Sequence, residues 1–343
     1  MAGRNNLKYR DAGVDIDANA AALERVKGRI RATFGPEVVR DVGLFGGCFA
    51  LPGAEDRVLV ASADGLGTKV LLHARMGWHD RVGEDLVAHC VNDIAVLGAR
   101  PLFFLDYLAG GSLPPEVLEP LLGGFADACG RHGVALLGGE TAEMPGLYGE
   151  GHYDVAGFIV GIASREGLVD GAAIRPGDSI VGFPSTGLHT NGYSLARRAL
   201  LDEAGLHLED PVEELGETLA EALLRPHRSY RNAIEGIVAA GLARGFAHIT
   251  GGGLVDNVPR ILPEGCDALI HRDRWTVPPI FRLIERHGGV DREEMYRAFN
   301  MGIGLAAVVP SGREEEALQA AGKEPGAMVI GGIVEGERRV RFA

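Results

Sequence analysis

The sequence predicts an α/β (α+β) protein built of two mixed α/β domains, on three observations. The chain has 343 residues, which exceeds the usual size of a single domain. Strand-like and helix-like apolar patterns alternate through both halves. A turn-rich polar segment, EGLVDGAAIRPGDS at 166–179, separates two regions of similar size. We therefore expect an N-terminal domain over residues 1–169 and a C-terminal domain over residues 170–343.

In the N-terminal half, apolar runs predict four strands and two helices. In chain order these are a strand at 57–64, a helix at 83–99, a strand at 101–109, a helix at 115–133, and strands at 134–139 and 153–164. The first helix carries apolar residues at helical spacing: Leu86, Val87, Cys90, Val91 and Ile94. Its other side carries Asp85, His89, Asn92 and Asp93. This helix therefore presents an apolar face and a polar face.

In the C-terminal half, the same reasoning predicts further strands and helices. They are a strand at 179–184, helices at 191–205 and 229–241, a strand at 246–250 that runs into three glycines, and strands at 302–310 and 327–336. No Gly-x-Gly-x-x-Gly motif follows a first strand, which argues against a Rossmann dinucleotide site.

Composition excludes several classes of function. The net charge is −13, from 34 basic and 47 acidic residues, which argues against nucleic acid or a membrane surface as the main partner. The N-terminus, MAGRNNLKYRDAG, has no apolar leader, and no apolar run reaches transmembrane length. The four cysteines form no Cys-x-x-Cys pair, so we expect buried thiols and a cytoplasmic protein.

The segment DGLGTK, residues 64–69, indicates a phosphate site of an unusual kind. It lacks the order of a Walker A loop. Gly65 and Gly67 let backbone N–H groups converge, and Lys69 adds a positive charge. Asp64 would repel phosphate unless Mg²⁺ lies between them, because Mg²⁺ binds carboxylate and phosphate oxygens together. The alternative is a hairpin turn with a surface lysine.

Two further acidic positions fit the same hypothesis. Asp93 lies beside Asn92 on the predicted helix 83–99 and can supply a second magnesium oxygen; the alternative is a solvated helix face. Glu140 follows a strand and two glycines in LGGETAEMPG, and it can bind the metal or merely cap the next segment. Three acidic positions in one domain favour a site for a magnesium–nucleotide complex.

The C-terminal half carries two more candidate anion sites. In STGLHTNGYS (185–194), Thr190 and Asn191 can cap a helix, whose N-terminus binds anions. His189 can donate a hydrogen bond to a substrate oxygen, or it can be a structural histidine. In HITGGGL (248–254), three glycines form another cradle, or a flexible turn without a ligand. Glycine-rich turns in both halves suggest two phosphorylated ligands that meet at a cleft.

Nine segments, in order, resemble one family. They are YRDAGVDIDA (9–18), DGLGTK (64–69), DLVAHCVNDI (85–94), PLFFLDY (101–107), GGETAEMPG (138–146), YDVAGF (153–158), GLHTNGYSL (187–195), HITGGGLVDNVPRILP (248–263) and MYRAFNMGIG (295–304). The family is phosphoribosylformylglycinamidine cyclo-ligase. The resemblance implies ATP-dependent closure of the imidazole ring of formylglycinamidine ribonucleotide in purine biosynthesis, through phosphorylation of the formyl oxygen. It also implies a homodimer that pairs through its N-terminal domains.

The resemblance also implies roles for single residues. Magnesium would be bound by Asp64, Asp93 and Glu140. The nucleotide would contact Asp64, Gly65, Gly67, Thr68, Lys69, Asn92 and Asp93. The catalytic residues would be Lys69, at the transferring group, and His189, at the formyl oxygen. The ribonucleotide would contact Gly187, His189, Thr190, Asn191, Thr250, Gly251, Gly252 and Gly253.

Departures from the family pattern are small, and rival families fit less well. Ala63 stands where threonine is common, and Thr190 where serine is common. Selenophosphate synthetase would need a reactive cysteine or selenocysteine near Gly13, and a hydrogenase-maturation dehydratase would need a C-terminal cysteine; neither is present. Thiamine-phosphate kinase would not explain GGETAEMPG. A non-catalytic nucleotide-binding subunit stays open as the alternative from another class.

Overall fold

The structure, a computed structural model, describes residues 7–343. The first six residues of the predicted N-terminal domain lie outside the described residues. Two separate sheets, of five and six strands, form the framework, with helices packed against them. The α/β class predicted from the sequence is confirmed.

The first sheet is formed by residues 47–164 and has the strand order β1-β2-β5-β3-β4. Its strands are β1 Gly47–Leu51, β2 Ala54–Gly65, β3 Arg100–Gly110, β4 Ala135–Glu143 and β5 Tyr153–Ser164. The accompanying helices are α1 Ile16–Arg31, α2 Lys69–Met76, α3 Val82–Ala95 and α4 Pro115–Arg131. All strand pairs are antiparallel except β3 with β4.

The two faces of this sheet differ sharply. Along β5, every second residue from Tyr153 to Ala163 is buried, whereas the residues between them are half-buried or exposed, as the alternation of side chains in a strand requires. The buried face packs against α3. The opposite face leaves large apolar side chains exposed, among them Phe158 and Leu105. This sheet is therefore covered by helices on one side only.

The second sheet is formed by residues 179–342 and has the strand order β13-β10-β12-β6-β11-β9. Its strands are β6 Ser179–Pro184, β9 Gly245–His248, β10 Cys266–Ile270, β11 Ile303–Val309, β12 Met328–Glu335 and β13 Val340–Phe342, and β7 Pro211–Val212 and β8 Glu217–Thr218 form a separate pair. The helices are α5 Tyr193–Arg197, α6 Leu219–Leu223, α7 Arg231–Ala239, α8 Gly253–Asn257, α9 Pro279–Gly288, α10 Arg292–Ala298 and α11 Glu314–Ala320. The connection between the two sheets covers residues 165–178, and the domain boundary at 169/170 stays a prediction.

One predicted helix differs in form. The sequence predicts a helix over 191–205, but the α-helix begins at Tyr193 and continues as a π-helical segment from Arg198 to Glu203. Gly192 precedes it with φ 82°, a left-handed conformation that cannot continue into the helix. Within residues 7–343, no helix is both long enough and apolar enough to span a membrane.

Candidate active site

Helix α3 is the centre of the site, because it is buried on all sides. Its polar stripe, which we define as Asp85, His89, Asn92 and Asp93, is at most 4% exposed. The apolar side of α3 packs on the first sheet, and the polar stripe faces residues 227–230 and His248 of the C-terminal half. The interpretation as a solvated helix face is therefore wrong. Buried polar groups need partners, and each residue of this stripe has them.

Asp85, at the N-terminal end of the polar stripe, joins the two halves of the chain. Its carboxylate accepts hydrogen bonds from Lys69 Nζ at 2.7 Å, His73 Nε2 at 2.9 Å and the backbone N–H of His227 at 2.8 Å. Lys69 Nζ also donates to the carbonyl oxygen of Arg225 at 3.0 Å. Burial alone would raise the pKa of Asp85, but the Lys69 charge and the His73 hydrogen bond hold that pKa below its ordinary value.

This arrangement corrects the role predicted for Lys69. The side chain is fully buried, so the alternative of a surface lysine is wrong. Its ammonium group is directed at Asp85 and Arg225, inside the protein, and not at the open side of the 64–68 loop. The structure therefore does not present Lys69 to a phosphate group, because the buried carboxylate already neutralises its charge.

His89 forms the cationic centre of the site. Its Nε2 atom lies 2.9 Å from Asp64 Oδ2 and 3.8 Å from Asp93 Oδ2, and its Nδ1 atom is hydrogen-bonded to the hydroxyl of Thr190. Burial opposes protonation, but the Asp64 charge and then that of Asp93 raise the pKa of His89 to about 9. In turn, His89 keeps the pKa of Asp64 below its ordinary value, against the effect of burial. The structure thus brings Asp64 and Asp93 together around one positive charge.

Three further histidines, His189, His227 and His248, lie beside this ion pair, and we call them the histidine cluster. The ring of His189 stacks on that of His227 with centroids 4.1 Å apart. His227 Nε2 lies 3.0 Å from His248 Nε2, and His248 Nδ1 is hydrogen-bonded to Asp93 Oδ1 at 2.8 Å. Burial lowers the pKa of both His189 and His227 well below the ordinary value, so these imidazoles are neutral near pH 7.

His189 is held in a conformation that few residues adopt. Its φ angle is 61°, in the left-handed region that costs energy for a residue with a Cβ atom. A methyl group at Gly304 would lie 2.6 Å from His189 Cε1 and 2.0 Å from the Tyr230 hydroxyl. A side chain at position 304 would therefore displace His189. Strain of this kind is concentrated at functional sites.

Asn92 holds residues 228–230 of the C-terminal half against α3. Its side-chain amide donates to the carbonyl oxygen of Arg228 at 2.8 Å and accepts from the backbone N–H of Tyr230 at 2.8 Å. Both ends of the amide are thus used within the protein, and Asn92 is 0% exposed. This corrects the prediction that Asn92 contacts the nucleotide, because the structure gives it a bridging role between the two halves.

The glycine-rich loops meet above the polar stripe. Gly67, with φ 59°, lies next to Thr190, and the hydroxyl of Thr68 is 3.1 Å from that of Ser194. Gly251 lies beside the side chain of Asn191. The residues that the structure brings together here are Asp64, Gly65, Gly67, Thr68, Asp93, His189, Thr190, Asn191 and Gly251.

The other residues predicted to contact the substrate stabilise the conformation of the loops that meet here. Asn257 donates hydrogen bonds to the carbonyl oxygens of Thr250, Gly251 and Gly253, and its side-chain oxygen is 3.2 Å from the hydroxyl of Thr250. Gly252 and Gly253 both have positive φ and are buried, as is Gly187. These buried glycines set the conformation of the loops, whereas Gly251 is exposed and accessible to a ligand.

Glu140 is the predicted metal ligand that the structure separates from the others. It is an exposed residue of β4, three strands away from β2, which corresponds to about 14 Å at the usual strand spacing. Its register partners are Tyr107, Ala156 and Gly65, so it shares a face with Gly65 and lies on the opposite face from Asp64. The prediction that Asp64, Asp93 and Glu140 bind one ion within one chain is therefore wrong for this structure.

Sequence reasoning assigned no role to four residues that the structure places at the site: Asp85, His89, His227 and His248. Helical spacing did align Asp85 and His89 with Asp93, because residues four apart share a helix face, but it did not show what these side chains contact. His248 stands directly before the three glycines of HITGGGL. His227 had no local signal, since it lies in an irregular segment whose position depends on contacts more than a hundred residues away.

The fold and the site together define a two-domain α/β protein with a buried polar centre between its halves. Residues 46–163 match the family described as "AIR synthase related protein, N-terminal domain", and residues 175–342 match the corresponding C-terminal domain. Two solved structures share the fold. Thiamine-monophosphate kinase from Stenotrophomonas maltophilia K279a has a TM-score of 0.63 at 20% identity, with 94% of this chain and 95% of that chain covered. The hydrogenase maturation protein HypE has a TM-score of 0.61 at 19% identity, with 91% and 92% covered.

Full-length relatives give the closer assignment. A phosphoribosylformylglycinamidine cyclo-ligase of Syntrophotalea carbinolica is 49% identical over 338 residues, covering 98% of this chain and 97% of its own. The protein of the same name from Sorangium cellulosum is 48% identical over 346 residues, covering 98% and 99%. The chain belongs to the phosphoribosylformylglycinamidine cyclo-ligase family and is an enzyme. The family predicted from the sequence is thus confirmed.

Proposed function

We propose that this enzyme closes the imidazole ring of formylglycinamidine ribonucleotide in purine biosynthesis, in the cytoplasm, and consumes ATP. The observation that carries the proposal is the identity of 49% over 98% of the chain to a relative named for this reaction. ATP phosphorylates the formyl oxygen, which makes a poor leaving group into a good one. An amidine nitrogen of the same molecule then attacks the activated carbon, and phosphate leaves, so that proximity is largely supplied by the substrate itself. The products are 5-aminoimidazole ribonucleotide, ADP and phosphate.

The side chains around His89 fit a magnesium ion. Asp64 and Asp93 offer carboxylate oxygens, the ligands that Mg²⁺ prefers, and both already face one positively charged nitrogen. A bound Mg²⁺ would neutralise charge on the phosphate oxygens during transfer. Asp93 is fixed by hydrogen bonds from Ser62 at 3.2 Å and His248 at 2.8 Å. The Asp64 side chain is 40% exposed, against 6% for Asp93, and would therefore be open to the nucleotide.

The loop before α2 supplies the phosphate contacts. Gly65, Gly67 and Thr68 lead directly into this helix, and the N–H groups of a first helical turn have no acceptor within the helix. Such a helix start attracts anions. Lys69, the first residue of α2, supports the site indirectly, because its ion pair with Asp85 anchors the backbone of residues 225–227.

His189 is the residue that we propose to contact the formyl oxygen. The backbone N–H of Thr186 donates to His189 Nε2 at 3.3 Å, so the neutral ring carries its proton on Nδ1. That Nδ1 atom has no hydrogen-bond partner among the described residues, although it is buried. It is therefore free to donate a hydrogen bond to a substrate oxygen and to stabilise the charge that develops there.

The ribonucleotide would be held by the two C-terminal loops. Asn191, which is hydrogen-bonded to Thr190, lies next to Gly251, and the exposed Gly251 can place its N–H group against the ribose phosphate. The phosphoryl donor and the acceptor would then approach from opposite sides of the same cleft, since Gly67 of the nucleotide loop lies beside Thr190.

We also propose a homodimer that pairs the open faces of the first sheet. This face leaves Phe49, Leu105 and Phe158 between 37% and 45% exposed, and exposed apolar patches of this kind mark interfaces. Size-exclusion chromatography with light scattering should give a dimer for the wild type and a monomer for Phe158→Asp. Leu23→Asp is the control, because Leu23 is 53% exposed on α1, outside the sheet. A monomeric wild type at micromolar concentration would refute the dimer.

The activity is tested by ADP release from the purified protein with ATP, Mg²⁺ and formylglycinamidine ribonucleotide. We expect release that depends on the ribonucleotide, and a loss of at least about a hundredfold in kcat for His189→Ala, as for removal of other groups that stabilise developing charge. Asp93→Asn should need more magnesium for half-maximal rate. His152→Ala is the matched control, because His152 is exposed. Tight ATP binding without turnover would favour the non-catalytic subunit instead.

A further inference from the structure

The histidine cluster has the composition of a transition-metal site. His189, His227 and His248 are each at most 3% exposed. One ring nitrogen from each of them lies within 4.8 Å of the other two. The Nε2 atoms of His227 and His248 approach to 3.0 Å, which is close to the separation of two nitrogens bound to one tetrahedral zinc ion, about 3.3 Å for bonds of about 2.0 Å. Three imidazole nitrogens that bind one ion are the ligand set of several zinc centres.

The tautomers of the three histidines can be set so that each ring offers one nitrogen lone pair to a metal ion. Asp93 accepts the Nδ1 proton of His248, so His248 Nε2 carries a lone pair, which accepts a hydrogen bond from His227 Nε2. A carboxylate behind a metal-binding histidine is the usual supporting arrangement. His227 can move its proton from Nε2 to Nδ1, where the Thr190 hydroxyl lies at 3.5 Å. His189 can move its proton from Nδ1 to Nε2 and lose only the long bond from Thr186. Binding of a cation then needs no net release of protons.

A second, independent observation points to a ligand at this place. His189 Nδ1 is buried without any hydrogen-bond partner among the described residues, and such orphaned polar atoms are costly. A metal ion would give this atom a partner. The neighbouring triple of His89, Asp93 and His248 is a weaker candidate, because the Asp64 carboxylate 2.9 Å from His89 Nε2 keeps His89 protonated, and a protonated imidazole cannot bind a metal ion.

We propose that His189, His227 and His248 form a binding site for a divalent transition-metal ion of the zinc and cobalt type, separate from the magnesium site. Nitrogen donors select such ions, whereas Mg²⁺ requires oxygen donors. A bound ion occupies the Nδ1 atom of His189 that otherwise contacts the formyl oxygen. It therefore inhibits ring closure, and this last step rests on the proposed function.

Cobalt(II) is the probe, because its visible absorption reports the number and type of its ligands. Wild-type protein, without ATP, ribonucleotide or Mg²⁺, is titrated with CoCl₂. We expect uptake of one equivalent with the intense visible bands of four-coordinate cobalt. His227→Asn and His248→Asn should each weaken binding at least tenfold. His207→Asn should bind like the wild type, because His207 is exposed and does not belong to the histidine cluster. A tenfold excess of MgCl₂ should not displace the cobalt.

The outcomes separate this site from the proposed reaction. If the folded wild type shows no saturable cobalt uptake, the proposed site is wrong. This result does not depend on the variants, so it holds even if a variant folds poorly. Equal binding by wild type, His227→Asn and His248→Asn also overturns it. If cobalt binds as expected but ZnCl₂ does not inhibit ring closure at saturating Mg²⁺, the inhibitory role is wrong and the site stands. If ring closure itself is absent, the binding result is unaffected.

Discussion

Replacement of Asp85 by asparagine tests whether the buried ion pair holds the two halves of the chain together. Asp85 and Lys69 are both fully buried, and the carboxylate accepts three hydrogen bonds of 2.7–2.9 Å from Lys69, His73 and the backbone of His227. The asparagine side chain removes the charge and turns an NH₂ group toward these donors. Lys69 then remains as a buried cation without a counter-charge, which costs about 3–5 kcal/mol.

The assay is urea-induced unfolding followed by circular dichroism at neutral pH. A loss of about 3–5 kcal/mol is a large fraction of the about 5–15 kcal/mol that stabilises a typical protein. Asp56→Asn is the matched control, because the Asp56 side chain is 73% exposed and pairs with its neighbour Arg57. We expect the control to change stability by less than about 0.5 kcal/mol.

A double-mutant cycle identifies the cause of the loss. Lys69→Met removes the cation that Asp85→Asn leaves unpaired, so the double variant should lose at least about 1.5 kcal/mol less than the sum of the single variants. Additive effects would show that Asp85 and Lys69 are not coupled. A loss below about 1 kcal/mol for Asp85→Asn would refute the reasoning that this carboxylate is an obligatory partner of a buried charge.

Two further predictions concern His89 and Gly304. The pKa of folded His89, about 9, lies above its ordinary value of 6.5, so its ion pair with Asp64 contributes stability that is complete below pH 6.5 and is lost as the pH rises through about 9. Linkage gives about 3 kcal/mol for this loss, and urea midpoints measured from pH 6 to 10 should fall more steeply for the wild type than for His89→Gln; parallel curves would contradict the assignment. Gly304→Ala places a methyl group 2.6 Å from His189 and should cost about 1–3 kcal/mol together with at least about a tenfold loss in kcat. Gly236→Ala, whose added methyl would lie 1.9 Å from a backbone carbonyl, should lose stability but keep kcat, and equal losses in kcat would show that overpacking alone is responsible.

Much of the fold follows from local patterns in the sequence. The apolar spacing from Leu86 to Ile94 predicts α3 correctly, because one face of this helix must be buried on the sheet. The run at 153–164 predicts β5 with its bounds. The left-handed glycine at position 192 delays the start of the helix predicted at 191–205, since the conformation of a single residue is set by its surroundings as well as by its type.

The site could be predicted only in part. DGLGTK, GLHTNGYS and HITGGGL identify the loops that meet, because glycines at strand ends permit close approach to a ligand. The partners of Lys69 could not be predicted, because Asp85 lies 16 residues further along the chain and Arg225 lies 156 residues further along. The burial of Lys69 therefore depends on how the C-terminal half covers α2 and α3.

The sequence alone determined the elements, the family and the chemical types available for catalysis, because these depend on the periodicity and order of neighbouring residues. Tertiary structure decided which of those groups meet. Strand order placed Glu140 three strands away from Asp64, and the packing of residues 225–230 on α3 brought His227 beside His189 and His248. Such contacts join positions far apart in the chain, and no local pattern of residues encodes which distant segments pack together.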